Sequence, residues 1–245
     1  MIKDAEWNNI KEIVAQLNIP NEYREAIIFG IKKIYNVMPY KPIFIGICGS
    51  AAREDIVPNF SDVDLLFIHK GDESYNILDR YIHNGIKIGL TILPYNFSAP
   101  QYQDRKPWYF FRCFQKGIYK KLYGDIDLLP HVTFEKLYSV TAGDVNLKSL
   151  REVVSNELQE NMIPKSLKHC HTIMKNIILL EHKKELEGYK VIHKYFYENF
   201  GTNFTRVPSI QEFITKKETP QTVKTEIEEF LNEFNQYLEE NFSIL

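Results

Sequence analysis

The chain has 245 residues, a formal net charge of −2 and a hydrophobic content of 44%. That length suffices for one large domain or two small ones, and the composition is ordinary for a globular protein. The slightly acidic balance argues against a broadly basic nucleic-acid-binding protein. No apolar stretch reaches membrane-spanning length, and the N-terminus has no signal-peptide core. Three cysteines without metal-ligand spacing predict a reduced, cytoplasmic protein.

Two amphipathic helices open the chain. Apolar residues recur at helical spacing from Trp7 to Leu17, and Pro20 ends this first segment. The second helix is predicted to start at Asn21, a plausible N-cap residue, and to present one apolar face as far as Met38.

Two buried strands follow, at 42–48 and 62–69, and a Gly-Ser turn leaves the first of them. Eleven residues separate Ser50 from Asp62, which opens the second strand together with Asp64. Side chains alternate faces along a strand, so the two aspartates are predicted to point to the same side. Two carboxylates at such a short distance repel each other unless a cation lies between them, and hard oxygen ligands suit magnesium.

The Gly-Ser turn has a chemical use beside such a cation. Glycine leaves room for backbone N–H groups to approach a phosphate. A phosphate cradle next to a metal site predicts chemistry on a nucleoside triphosphate.

The rest of the first half alternates between helix and strand. A short helix is predicted at 73–83, a turn at Asn84-Gly85 and a third strand at 86–93. An aromatic helix at 108–114 leads to a strand and a Leu-Tyr-Gly turn at 118–124.

From about residue 146 the pattern is helical without strands. Amphipathic helices are predicted at 147–160, 165–185 and 188–200, and Ser209 with Glu212 forms a capping box that opens a short helix. A last helix follows Pro220. The adjacent His169, Cys170 and His171 diverge by about 100° per residue on a helix, so we do not expect them to share one metal.

The Gly49-Ser50 turn, its spacing from Asp62-x-Asp64, and Ser61 before the first aspartate resemble the signature of the nucleotidyltransferase (polymerase-β-like) superfamily. The resemblance covers residues 22–125. With about a hundred helical residues behind it, the chain looks most like the aminoglycoside and lincosamide nucleotidyltransferases. The resemblance implies an α+β fold, in which a catalytic domain at 1–145, a mixed sheet flanked by helices, precedes a helical substrate-binding domain at 146–245.

The resemblance also implies roles for individual residues. Asp62 and Asp64 would be the catalytic residues that hold two magnesium ions. Gly49 and Ser50 would contact the β- and γ-phosphates of ATP or another nucleoside triphosphate. The expected reaction moves AMP to a hydroxyl of a small molecule, such as an aminoglycoside-like antibiotic held in the cleft between the domains.

Arg53 and Ser61 belong to the same predicted nucleotide-binding set. Two interpretations of Arg53 remain open: it steadies the phosphates, or it pairs with Glu54 or Asp55.

One departure from the family pattern concerns the third carboxylate on the next strand. The best match is Gly89, and no aspartate or glutamate lies in 86–93. Three explanations remain open: Glu152 or Glu157 of the helical part replaces it, Lys87 substitutes for part of the metal charge, or the protein binds nucleotide without transferring it.

Two alternative functions follow. One is an antitoxin-like or regulatory module acting on a protein partner, and the other is a nucleotide-binding pseudoenzyme.

A cationic acceptor would need acidic groups, of which the chain offers Asp144, Glu152, Glu157 and Glu160.

Overall fold

The computed structural model describes residues 4–38, 40–71, 81–94, 118–124, 147–216 and 219–242. The chain divides into two compact units, Met1–Leu137 and Tyr138–Leu245. The predicted aromatic helix at 108–114, residues 73–80 of the predicted short helix, Asp144 and the predicted domain boundary after residue 145 lie outside the described residues.

Two helices begin the first unit, α1 at Asp4–Ala15 and α2 at Asn21–Val37. The prediction that Asn21 is the N-cap was wrong, because Pro20 takes that position with an extended backbone and no side-chain cap bond. Proline sets the backbone just ahead of the helix, so Asn21 becomes its first residue. The Asn21 amide instead donates to Glu25 Oε1 at 2.7 Å.

A mixed sheet of five strands forms the centre of the first unit. The strands are β1 at Pro42–Cys48, β2 at Val63–His69, β3 at Tyr81–His83, β4 at Ile86–Pro94 and β5 at Lys120–Gly124. Their spatial order is β3-β4-β2-β1-β5; β2 and β4 run parallel, and the other neighbours run antiparallel. A short helix, α3 at Gly49–Arg53, connects β1 to the segment before β2.

The predicted short helix was wrong at residues 81–83. These residues form strand β3, in which Tyr81 pairs with Ile88 and His83 with Ile86. The predicted turn is confirmed, with φ of 50° at Asn84 and 81° at Gly85. A two-residue turn with positive φ at both positions matches the twist of paired strands. The turn therefore favours a hairpin over a helix at 81–83.

One face of the sheet carries the apolar core of the first unit. Alternate residues of the strands on this face are buried together with α1 and α2, among them Ile45, Ile47, Val63, Leu65, Phe67, Ile88 and Ile92. Because side chains alternate, burying this face fixes the register and sends the intervening residues to the opposite face. Cys48, Asp64 and Gly89 lie on that opposite face.

The second unit is helical over its described residues. Its helices are α4 at Leu147–Gln159, α5 at Ile163–His182, α6 at Tyr189–Phe200, α7 at Ile210–Lys216 and α8 at Pro220–Phe242. The predicted capping box is confirmed: Ser209 N–H donates to Glu212 Oε2 at 2.9 Å, and Glu212 N–H donates to Ser209 Oγ at 3.1 Å. None of the helices described in either unit combines the length and hydropathy needed to cross a bilayer.

Candidate functional site

The strand register brings three sequence-predicted positions into one row across the sheet. Asp64 of β2 is the partner of Cys48, the last residue of β1, and of Gly89 in β4. The chain turns into Gly49 directly after Cys48. The second aspartate of the motif therefore lies between the Gly-Ser bend and the position where the family pattern has its third carboxylate.

The Asp64 carboxylate occupies a slot between two glycines. A Cβ built on Gly49 would lie 2.8 Å from Asp64 Oδ2, and a Cβ built on Gly89 would lie 2.7 Å from Asp64 Oδ1. Real Cβ atoms do not tolerate such distances, so each carboxylate oxygen fills the space left by a missing side chain. Gly49 also has a φ of +69°, a conformation that L side chains rarely adopt.

Asp62 stands just outside the strand, one residue before Val63, where β2 begins. The alternation of buried and half-buried positions runs unbroken from Ser61 to Leu65, with Asp62 and Asp64 both half-buried. This pattern matches the prediction that the two aspartates share a side.

Ser61 fastens the segment that leads into β2. It is buried, and its Oγ accepts a hydrogen bond from Val57 N–H at 2.9 Å. Its carbonyl accepts from the Tyr23 hydroxyl on α2 at 3.2 Å. The contacts of Ser61 hold the two aspartates in place, while its predicted contact with a nucleotide stays a prediction.

Arg53, at the end of α3, pairs with Asp55. This agrees with the interpretation in which Arg53 pairs with a neighbouring carboxylate. Its Nε donates to Asp55 Oδ2 at 3.0 Å. The neighbouring Glu54 instead meets Lys120 of β5, with 3.1 Å between Nζ and Oε1. These two ion pairs brace the chain after the Gly-Ser bend, and a role for Arg53 toward phosphate stays a prediction.

Lys87 is exposed and lies on the same face of β4 as Gly89, two residues before it. Ile88 and Ile92 of this strand are buried in the core on the other face. Lys87 thus supplies a positive charge on the Asp64 side of the sheet.

The donor chemistry of Asp62 and Asp64 suits magnesium. In the parts of the chain that the structure describes, no group of three or more histidine, cysteine, aspartate or glutamate side chains is placed to hold a metal. Magnesium, however, is commonly bound by one or two carboxylates and takes its other ligands from substrate phosphates and water. The pair therefore fits an ion that shares a triphosphate.

One of the three open explanations has Glu152 or Glu157 of α4 replace the third carboxylate, and these two side chains differ in exposure. Glu152 is exposed. Glu157 is buried, and its carboxylate contacts two residues of α5: His169 Nδ1 lies 2.7 Å from Oε2, and Lys165 Nζ lies 3.2 Å from Oε1. No sequence pattern predicts the pairing of Glu157 with His169, because α4 and α5 must pack before the two residues meet.

No protein-family model and no curated protein sequence matches the chain. Among solved structures, the chain is similar to spectinomycin adenyltransferase AAD(9) from Enterococcus faecialis, crystallised with ATP and spectinomycin. The TM-score is 0.54 at 17% identity, over 85% of this chain and 98% of that chain. It is also similar to a nucleotidyltransferase-like protein from Exiguobacterium sibiricum, with a TM-score of 0.34 at 14% identity, over 86% of this chain and 73% of that one. The predicted α+β nucleotidyltransferase fold is confirmed.

Proposed function

We propose that this chain, which has the nucleotidyltransferase fold, transfers a nucleoside monophosphate from a triphosphate to a hydroxyl of a small molecule. The nucleotide is ATP and the transferred group AMP. The observation that carries the proposal is the contact of the Asp64 carboxylate with the Gly49 bend, 2.8 Å from Oδ2 to a Cβ position that glycine leaves empty. A metal-binding carboxylate and a phosphate-accepting bend are useful to each other only at such short range.

Each residue of the candidate site has a task in the proposed transfer. Gly49 and Ser50 bind the β- and γ-phosphates through the backbone, which glycine allows to come close. Asp62 and Asp64 hold magnesium. When bound, magnesium offsets the negative charge that develops on the attacking and leaving oxygens. Lys87 adds positive charge on the same face of the sheet as Gly89, where the third carboxylate is missing.

The acceptor class rests on the neighbour with the higher TM-score, which was solved with spectinomycin as well as ATP. We propose a polyhydroxylated, cationic antibiotic of the aminoglycoside type. The exposed carboxylates of Glu152 and Glu160 in the helical unit are suited to attract such a cation.

A second candidate function is nucleotide binding without transfer, and Gly89 favours it. General-base catalysis typically contributes about 10²–10⁴ in rate, and position 89 has no side chain to supply it. An enzyme of this design must pass the acceptor proton to another group or to water.

The aspartates are tested by Asp62→Asn and Asp64→Asn, measured by calorimetric titration with magnesium and a non-hydrolysable ATP analogue. Each loss of a charged ligand is expected to weaken binding by about tenfold or more while the circular dichroism spectrum is unchanged. Asp4→Asn, which removes an exposed carboxylate on α1, is the control and should bind as the wild type does. Unchanged binding in both site variants would contradict the metal role.

Pyrophosphate release separates the two candidate functions. Wild-type protein is incubated with ATP, magnesium and a panel of aminoglycoside-type acceptors. Release that requires an acceptor supports transfer. Magnesium-dependent ATP binding with no release from any acceptor supports the binding protein instead.

A further inference from the structure

A pocket of about 410 Å³ opens in the first unit, away from the Gly-Ser bend. It is formed by α1, α2 and the end of β3. The helices α1 and α2 pack on the core face of the sheet, whereas Asp64 and Gly89 lie on the other face. We call it the α1–α2 pocket; its lining consists of Lys11, Val14, Ala15, Asn21, Arg24, Glu25, Ile28, Phe29, Lys32 and His83.

Positive charge dominates this lining, with three permanent cations against one carboxylate. The Nζ atoms of Lys11 and Lys32 lie 5.7 and 5.9 Å from the centroid of the same Trp7 ring, so one aromatic side chain gathers both ammonium groups. Arg24 donates from Nε to the Leu17 carbonyl at 3.1 Å, which fixes its guanidinium at the wall. Arg24 is thus anchored by a hydrogen bond, and the exposed Lys11 and Lys32 extend toward the same ring.

Another part of the wall is formed by two stacked rings and by aliphatic side chains. Phe29 and His83 stack with 4.5 Å between ring centroids and 23° between ring planes. Lys33 Nζ lies 5.3 Å from the Phe29 centroid, which adds a further cation beside this wall. Half-buried Ile28 and buried Val14 continue the apolar lining.

We propose that the α1–α2 pocket is a second nucleotide-binding site, separate from the triphosphate site. A phosphate group suits the Lys11, Lys32 and Arg24 cations, and a planar base suits the wall of Phe29 and His83. The Glu25 carboxylate, which already accepts from Asn21, suits a ribose hydroxyl or an exocyclic amine as a further donor. The volume falls in the range of small-molecule sites, about 300–1,000 Å³.

This inference does not depend on the proposed transfer reaction. The chain has two tryptophans, so Trp108→Phe leaves Trp7 as the single fluorescent reporter, next to Lys11 and Lys32. The full-length Trp108→Phe protein is titrated with AMP in the presence of EDTA, which suppresses magnesium-dependent binding at the Gly-Ser bend. A saturable change in Trp7 emission is expected, with a weaker response to inorganic phosphate and to adenosine.

Two matched double variants each remove two lysine charges, one pair inside the α1–α2 pocket and one pair outside it. Lys11→Ala with Lys32→Ala is expected to weaken AMP binding at least tenfold, measured by calorimetry because both lysines also alter Trp7 emission directly. Lys70→Ala with Lys190→Ala removes two exposed lysines outside the pocket and should leave the affinity unchanged. Phe29→Leu should weaken AMP binding while leaving phosphate binding as it was.

Three results would overturn the inference. They are the absence of saturable AMP binding, equal affinities of the two double-lysine variants, and loss of the AMP signal on Asp64→Asn, which would place the ligand at the bend. Failure of the transfer reaction leaves all three readouts unaffected.

Discussion

At the scale of single residues, the Asp64 carboxylate packs between two residues that have no side chain, Gly49 and Gly89. Its two carboxylate oxygens face Gly49 and Gly89 at distances that no Cβ could share. A carboxylate confined in this way loses little freedom when it binds a cation, which is an advantage for any site that must be ready before its ligand arrives. The cost is that neither glycine tolerates substitution without moving the aspartate.

Gly49→Ala tests this confinement. The left-handed backbone of residue 49 should cost about 1–2 kcal/mol of folding stability, and the new methyl group should displace Asp64 Oδ2 and abolish magnesium-dependent ATP binding. Urea unfolding and calorimetry measure the two effects. Gly85→Ala is the control, because its φ is +81° but nothing lies within 4 Å of its Cβ position. It should show the same strain with ATP binding intact; equal loss of binding in both variants would refute the local explanation.

At the scale of elements, the two motif strands were predictable because each is a run of apolar residues between turn signals. The strand at 42–48 matches β1, and the one at 62–69 differs from β2 by a single residue. The three residues of β3 are too few to show the alternation of apolar and polar residues that marks a strand. The Asn84-Gly85 turn was therefore the only sequence signal of the hairpin. The slot of Asp64 could not be predicted from the sequence, because Gly49 and Gly89 approach the carboxylate from the two strands on either side of β2.

Gly89→Glu, compared with Gly89→Ala, tests the strand register against the missing carboxylate. Both variants place a Cβ 2.7 Å from Asp64 Oδ1, so both should disturb ATP binding. Only the glutamate returns a carboxylate, and it should therefore show pyrophosphate release about 10²-fold or more above that of the alanine variant. Equal rates in the two variants would mean that the third group comes from elsewhere in the chain.

At the scale of the whole molecule, the helical unit buries titratable groups that the candidate site does not use. His171 Nδ1 lies 2.8 Å from the Leu167 carbonyl, and His193 Nε2 lies 2.9 Å from the Val207 carbonyl. The two rings stack at 5.6 Å. Burial lowers the pKa of both, that of His171 to about 4, although Glu212 acts in the opposite direction.

This cluster predicts that folding stability falls on acidification. Below pH 6.5 the unfolded chain protonates His171, whereas the folded chain resists until about pH 4, so protons favour unfolding across that window. The loss for His171 should reach on the order of 3 kcal/mol. Urea unfolding followed by circular dichroism at pH 7.5, 5.5 and 4.5 measures it. His171→Gln should flatten the dependence, and a slope identical to the wild type would assign the effect to other groups.

The sequence specified the general layout of the molecule better than its contacts. The helical pattern after residue 146 predicted five helices, and their predicted starts agree with those of α4 to α8 within about two residues. The cluster of His171 and His193 and the contact of Glu157 with His169 each join helices that are separate in the chain. Only helix packing brings these residues together, and the hydrophobic periodicity of each helix does not predict which helices will pack.

The two-glycine slot also constrains how the protein can be altered by selection. Every glycine codon lies one base change from a codon for aspartate or glutamate, so an acid at position 89 is among the easiest variants to generate. The side chain of that acid would nevertheless clash with Asp64 Oδ1. A laboratory evolution experiment that rewards faster transfer should therefore recover acids at 89 together with compensating changes nearby, a mutational path of at least two steps.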